Sequence, residues 1–134
     1  MEKRRVLVIA AFLGALAVGL GAFGAHALKP FLLENDRLAT YETAVQYHFY
    51  HTFLLLIIGL IQFRFGHKFI RWSALCILLG IVLFSGSLYM LCFSGSAIWG
   101  PVTPLGGVFL ILGWAFLGFG LALNKKDTED TSEL

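Results

Sequence analysis

Ser94-Gly95-Ser96-Ala97-Ile98-Trp99-Gly100-Pro101-Val102-Thr103-Pro104 is the stretch that decides the fold. It interrupts the residues from Trp72 to Asn124, which contain no Asp, Glu, Lys or Arg. As one helix those residues would be about 80 Å long, against a hydrocarbon core of about 30 Å. The segment must fold back on itself, and its glycines and prolines mark the turn. Thr103-Pro104 reads as an N-cap followed by proline at the first helical position. Two spans follow from this one turn, at about 72–93 and 104–123.

Working outward, Val6 to Leu28 and Thr43 to Phe63 are two further uncharged runs of spanning length. Ala25-His26-Ala27 fits the pattern of a signal-peptide cleavage site, but the run before it is longer than a signal peptide's apolar region. It is therefore read as a span. The chain of 134 residues is 58% hydrophobic and 13% charged, with a mean hydropathy of +0.81. A soluble domain carries nearly twice that charge. The fold class is an all-α membrane bundle of four helices, at about 6–28, 43–63, 72–93 and 104–123. Together they form one transmembrane domain over 1–124, followed by a polar, disordered cytoplasmic tail over 125–134. The lipid bilayer is the first partner. A net charge of +2 gives no ground for nucleic-acid binding.

Between the first two spans, Pro30 cannot extend the first helix's hydrogen-bond ladder. Phe31, Leu32 and Leu33 suggest a segment on the membrane surface, with Asn35 or Asp36 capping the next helix. Lys3, Arg4, Arg5, Arg64, Lys68, Arg71, Lys125 and Lys126 fall on one side of the membrane, and only Lys29 and Arg37 on the other. Eight against two places both termini in the cytoplasm.

Ala10, Gly14, Ala17, Gly21 and Gly24 recur at spacings of 4, 3, 4 and 3. In lipid, small residues let backbones approach, so this stripe should face another helix and make the first helix the most closely packed of the four. Gly106, Gly107, Gly113, Gly118 and Gly120 read as packing positions, because no strand precedes them to make a nucleotide loop. Cys76 and Cys92 lie about 24 Å apart on one helix, too far to bridge. They read as small apolar fillers.

The polar character of the spans is concentrated in Thr43-Ala44-Val45-Gln46-Tyr47-His48-Phe49-Tyr50-His51. Thr43, Tyr47 and His51 share a helix face. Depth counting puts His26, Tyr47, His48, His51, Ser85, Ser87, Tyr89 and Thr103 in the half of the bilayer remote from the basic side, and leaves the other half aliphatic. Two readings stay open. One is an interhelical hydrogen-bond network in which His51 pairs with the third helix around Ser85 to Tyr89, or with the first near Gly24. The other is an outward-facing pocket for a small solute, ion, metal or lipid headgroup. His26, His48 and His51 suffice in number for a metal, but no carboxylate within a span joins them, so no metal site and no cofactor is assigned. An ion-coupled exchanger of this size needs an intramembrane carboxylate, and there is none. No nucleophile with its base and orienting group is legible, so no catalytic residue is assigned and no enzyme is expected.

Three stretches, Gly21 to Leu28, Thr43 to His51, and Phe84-Ser85-Gly86-Ser87-Leu88-Tyr89 with Thr103-Pro104-Leu105-Gly106-Gly107, occur here in order. Together they resemble the small YwdK-like (also YgdD-like) bacterial inner-membrane proteins, a domain family of unknown function. The resemblance covers nearly the whole chain except the tail. It implies a four-span protein of the cytoplasmic membrane and no established activity. It also implies that His26, Tyr47, His51, Ser85, Gly86, Ser87, Tyr89, Thr103 and Pro104 are family motif positions. His48 departs from the pattern, since relatives often carry glutamine there, and this weighs against a His48–His51 metal pair. The expected role is structural: a packing or assembly protein, self-associating or holding a membrane-protein partner.

Overall fold

In the computed structural model, the backbone is described for residues 2–130 and the side chains for residues 2–123. The described residues form six α-helices: α1 (Lys3–Ala25), α2 (Lys29–Glu34), α3 (Leu38–Arg64), α4 (Lys68–Gly80), α5 (Gly86–Ser94) and α6 (Val102–Asp130). A π-helical turn, Ile81–Ser85, joins α4 to α5, and a short 3-10 turn, Ala97–Trp99, precedes α6. No strand occurs among the described residues. Among the described residues four segments are long and apolar enough to cross a membrane: Lys3–Ala25, Leu38–Arg64, Lys68–Ser94 and Ala97–Leu123.

The helix ends differ from the sequence reading in instructive ways. The first helix stops at Ala25, three residues early, and the His26 and Leu28 amides close its end on Phe23 and Ala22 carbonyls. Pro30 opens α2, where a missing amide costs nothing. Neither Asn35 nor Asp36 caps the next helix. Asp36 takes a left-handed turn (φ 53°), and α3 begins after Arg37 without a side-chain cap. The third span starts at Lys68, where His67 accepts from the Phe69 amide, rather than at Trp72. In the fourth, α6 starts at Val102, so Thr103 lies inside its first turn and is not its cap. Its helix continues into the expected tail as far as Asp130, and residues 131–134 lie outside the described part.

The helices pack in series: α1 on α3, α3 on α4 and the turn beyond it, and α4 on α6. The two inner spans are 44% buried, the outer two 17% and 28%. Each contact follows one rule. Buried positions run Ala10, Gly14, Ala17, Gly21, Gly24 on α1 and Tyr41, Ala44, His48, His51, Leu55, Ile58, Gln62 on α3, with Gly14 and Gly21 partly covered. They run Ile70, Ala74, Ile77, Ile81 on the third span and Gly106, Leu110, Gly113, Leu117, Gly120 on α6. All alternate spacings of 3 and 4, the heptad period that keeps a seam facing its partner in left-handed bundles.

The small-residue stripe of α1 does face another helix: Gly14 lies by Thr52, Gly21 by Val45 and Gly24 by Tyr41 of α3. It is not the tightest contact. A Cβ on Gly106 would strike the Phe84 amide nitrogen, and one on Gly113 or Gly120 would strike Ile77 or Ile70. α6 therefore makes the closest backbone approach. It does so at the π turn, where the Gly86 amide reaches back to the Ile81 carbonyl. Gly107 has only ordinary contacts and Gly118 none.

Candidate functional site

α3 carries the polar residues, and its heptad seam decides which of them point inward. His48 and His51 are buried, whereas Tyr47 is 39% exposed. The four-residue spacing of Thr43, Tyr47 and His51 drifts off the seam, so these three do not form one buried face. Thr43 bonds back to the Ala39 carbonyl at 2.9 Å. The Tyr47 ring stacks on Phe84, centroid to centroid 4.6 Å, and on His51 at 5.7 Å. It shields the cluster from the side.

His51 Nδ1 lies 2.8 Å from the Tyr47 carbonyl one turn earlier. A carbonyl only accepts, so Nδ1 carries the proton. Nε2 then offers its lone pair, and the Trp114 indole N–H of α6 donates to it at 3.4 Å. His51 is thus a neutral imidazole with both nitrogens engaged. Its partner is on the fourth span, not on the third around Ser85 to Tyr89 nor near Gly24.

His48 Nδ1 lies 3.2 Å from the Tyr89 hydroxyl of α5. The other face of its ring meets the α1 backbone at Leu13, and Nε2 makes no well-formed hydrogen bond. Tyr89 packs edge-on against Tyr41 at 5.4 Å, and the Tyr41 hydroxyl donates to the Leu20 carbonyl of α1 at 2.7 Å. Thr103 and Ser87 hydroxyls are 2.7 Å apart, and Ser87 donates on to the Phe84 carbonyl at 2.9 Å. Thr103 also faces the Trp99 carbonyl at 3.4 Å, so either hydroxyl can donate to the other. This pair fastens α6 to α5.

The structure therefore brings His48, His51, Ser87, Tyr89 and Thr103 into bonds that cross between helices. It leaves His26 apart, exposed at the end of α1. Ser85 is buried beside them, but among the described residues its hydroxyl has no partner, and neither has that of Thr52. Among the described residues no three His, Cys, Asp or Glu side chains stand close enough to hold a metal ion. Cys76 and Cys92 are free and buried, and the Cys92 thiol lies 3.8 Å from the Arg37 carbonyl.

The sequence reading missed Tyr41, Trp114, Ser73 and Gln62. Tyr41 and Gln62 continue the seam of His48 and His51, so counting 3-4-3-4 along that helix would have found both. Ser73 donates to the Gly113 carbonyl at 2.6 Å in the half read as plain aliphatic. Trp114 had no local signal, because its bond to His51 is set by how the bundle places α6 relative to α3.

A cleft of about 330 Å³ opens beside this network, between α1, α2 and α3. Its lining includes Gly24, Lys29, Tyr41, Glu42 and Gln46. Only Tyr41 belongs to both the cleft and the buried network.

Residues 20–107 match a family described as a protein of unknown function, DUF423. A UPF0382 membrane protein of Haemophilus influenzae is 40% identical over 124 residues, covering 92% of this chain and 98% of that one. The UPF0382 inner membrane protein YgdD of Escherichia coli K12 is 38% identical over 126 residues, covering 94% and 95%. A UPF0382 membrane protein of Staphylococcus aureus is 40% identical over 111 residues, covering 83% and 89%. No solved structure matches. With four helices able to span a bilayer and these relatives over nearly its full length, the chain is a multi-pass inner-membrane protein and belongs to the DUF423 (UPF0382) family.

Proposed function

We propose that this protein is a non-catalytic assembly element of the cytoplasmic membrane that associates through α1 with a second copy of itself. The observation that carries the reading is a second small-residue stripe on α1. Ala11, Ala15 and Ala22 are exposed, and a Cβ on Gly19 would meet no atom within 4 Å. These residues lie away from α3, on the least buried span of the four. Small residues at spacings of 4, 4 and 3 let two identical helices approach face to face in lipid, and a stripe facing its own copy closes a two-fold contact. The interior supports the same reading. His51, Tyr89, Ser87 and Thr103 are engaged with other parts of the chain, which suits a network that locks the helices together.

Native mass spectrometry of the full chain from native nanodiscs tests this. A dimer that Ala15→Leu converts to monomer supports it. A monomer in both, or a stable complex with a different membrane protein, overturns the self-association.

A second reading rests on the cleft with Lys29, Glu42 and Gln46, which has the size and mixed charge to take a small zwitterionic solute. It predicts ligand-induced thermal stabilisation that Glu42→Gln abolishes. Both readings place the basic ends of the spans in the cytoplasm. In intact cells an impermeant thiol reagent should then label Arg37→Cys and spare Lys68→Cys.

A further inference from the structure

We propose that the end of the bundle bearing the N-terminus holds a binding site for a phosphate-bearing anion, the headgroup of an anionic lipid or a free phosphate, built by Lys3, Arg4, Gln62 and Arg71. These residues, with Glu2 and Phe65, line a cavity of about 600 Å³ between the start of α1, the end of α3 and the start of α4. Three of them are cations drawn from two helices remote in sequence, which is what a multidentate phosphate contact requires. The Lys3 ammonium stands 4.9 Å from the Phe63 ring centroid, which holds it at the interface. The one acid of the lining, Glu2, is paired at 3.3 Å with Arg5, a cation that does not line the cavity.

The second observation is independent of charge. Gln62 is only 8% exposed, and its Nε2 is buried without a hydrogen-bond partner among the described residues. A side-chain amide donor left bare in this position costs free energy until an acceptor arrives. Gln62 belongs to the cavity lining, so a turn of its side chain would present this donor to an oxygen bound among the cations. α1 begins beside the cavity with no side-chain cap on its first amides, and the positive end of its dipole adds to the same attraction. Phe65 offers an apolar wall against which the first acyl carbons of a lipid would lie. Basic pockets between spanning helices take anionic headgroups elsewhere by this combination.

The test is native mass spectrometry of the full chain in detergent with three added probes: dioleoyl-phosphatidylglycerol, dioleoyl-phosphatidylcholine and inorganic phosphate. One phosphatidylglycerol should stay bound in preference to phosphatidylcholine. Arg71→Gln should weaken retention about fivefold, and Gln62→Leu about tenfold, because it removes a hydrogen bond to a charged group. Arg64→Gln removes a charge from the same side outside the cavity and should change nothing. If phosphate binds and displaces the lipid, with the same dependence on Arg71 and Gln62, the site stands and its ligand is soluble. Equal retention of both lipids overturns the proposal. So does an equal loss in Arg64→Gln, or no loss in either cavity variant. Circular dichroism of each variant checks that the helices persist. Should Gln62→Leu fail to fold, Gln62→Glu replaces it, since a carboxylate there must repel the same anion.

Discussion

Where α6 crosses the π turn, the residue laid against the backbone is Gly106. Where α1 packs on α3, one of the residues on the seam is Gly14. Both are glycines on a 3-4 seam, yet their surroundings differ in kind. The space beside Gly106 is closed by the Phe84 nitrogen and the Leu83 carbonyl carbon, which are main chain. The space beside Gly14 ends 3.7 Å away on the Thr52 methyl, which is side chain. One contact has no slack and the other has room. A glycine count alone does not distinguish them.

The largest effect should come from Gly106→Ala. Its Cβ can be admitted only by moving α6 away from the π turn, which also pulls Thr103 from Ser87. A loss of about 3 kcal/mol is expected, at the upper end of overpacking costs. Unfolding of the purified protein in lipid nanodiscs measures it. A change too small to detect would mean that the two contacts are alike after all.

Gly24→Ala should fall between the extremes. Its Cβ collides with the Tyr41 ring, a side chain that can turn, but turning it breaks the 2.7 Å bond to Leu20. About 2 kcal/mol is expected. Because the obstacle is a side chain, Tyr41→Leu should rescue Gly24→Ala in part, so the two costs should not add. No side-chain truncation should rescue Gly106→Ala. Strict additivity of the Gly24 and Tyr41 changes would show that the ring is not the obstacle.

How much of this was legible follows from what each helix shows. On α1 the seam was readable because Ala10, Gly14, Ala17, Gly21 and Gly24 are small among large neighbours. On α3 the same period was hidden. Tyr47 is polar and four residues from His51, so it drew the reading onto a face that the fold buries only at His51. The seam runs through Tyr41, His48, His51 and Gln62 instead. The turn at Ser94 to Pro104 and the four spans were legible from charge and length alone. The π turn was not, since Ile81-Val82-Leu83-Phe84-Ser85 has no breaker and its geometry belongs to the contact with Gly106. Trp114 as a partner of His51 was illegible for a similar reason: a bond between α3 and α6 depends on a placement of the two helices that no local pattern encodes.

His51→Leu should cost less than either of the two larger changes, about 1 kcal/mol, the ordinary value of an interhelical hydrogen bond in a membrane. The bond to the Tyr47 carbonyl stays within its own helix, so only the bond from Trp114 ties α3 to α6. His51→Gln keeps a donor and an acceptor and should be milder. Trp114→Phe should reproduce the His51→Leu loss, and the double variant should add little to it. If glutamine fails as badly as leucine, the imidazole is serving something other than this bond.

The smallest effect, and the one that most sharpens the comparison, belongs to Gly14→Ala. A Cβ there comes to rest at ordinary van der Waals distance from Thr52. Nothing has to move, and φ at this position is helical, so alanine fits the backbone without strain. What changes is the unfolded side of the balance, where glycine has more conformational freedom to lose, and alanine within a helix is favoured by roughly 0.5 kcal/mol or more. Gly14→Ala should therefore raise stability slightly, while the same substitution at Gly106 lowers it about 3 kcal/mol. The sign difference is the sharper readout, since both variants make the same chemical change in helices of the same bundle. A clear destabilisation at Gly14 would mean that α1 approaches α3 more closely than the 3.7 Å gap to Thr52 allows. The distinction between a main-chain wall and a side-chain wall would then fail.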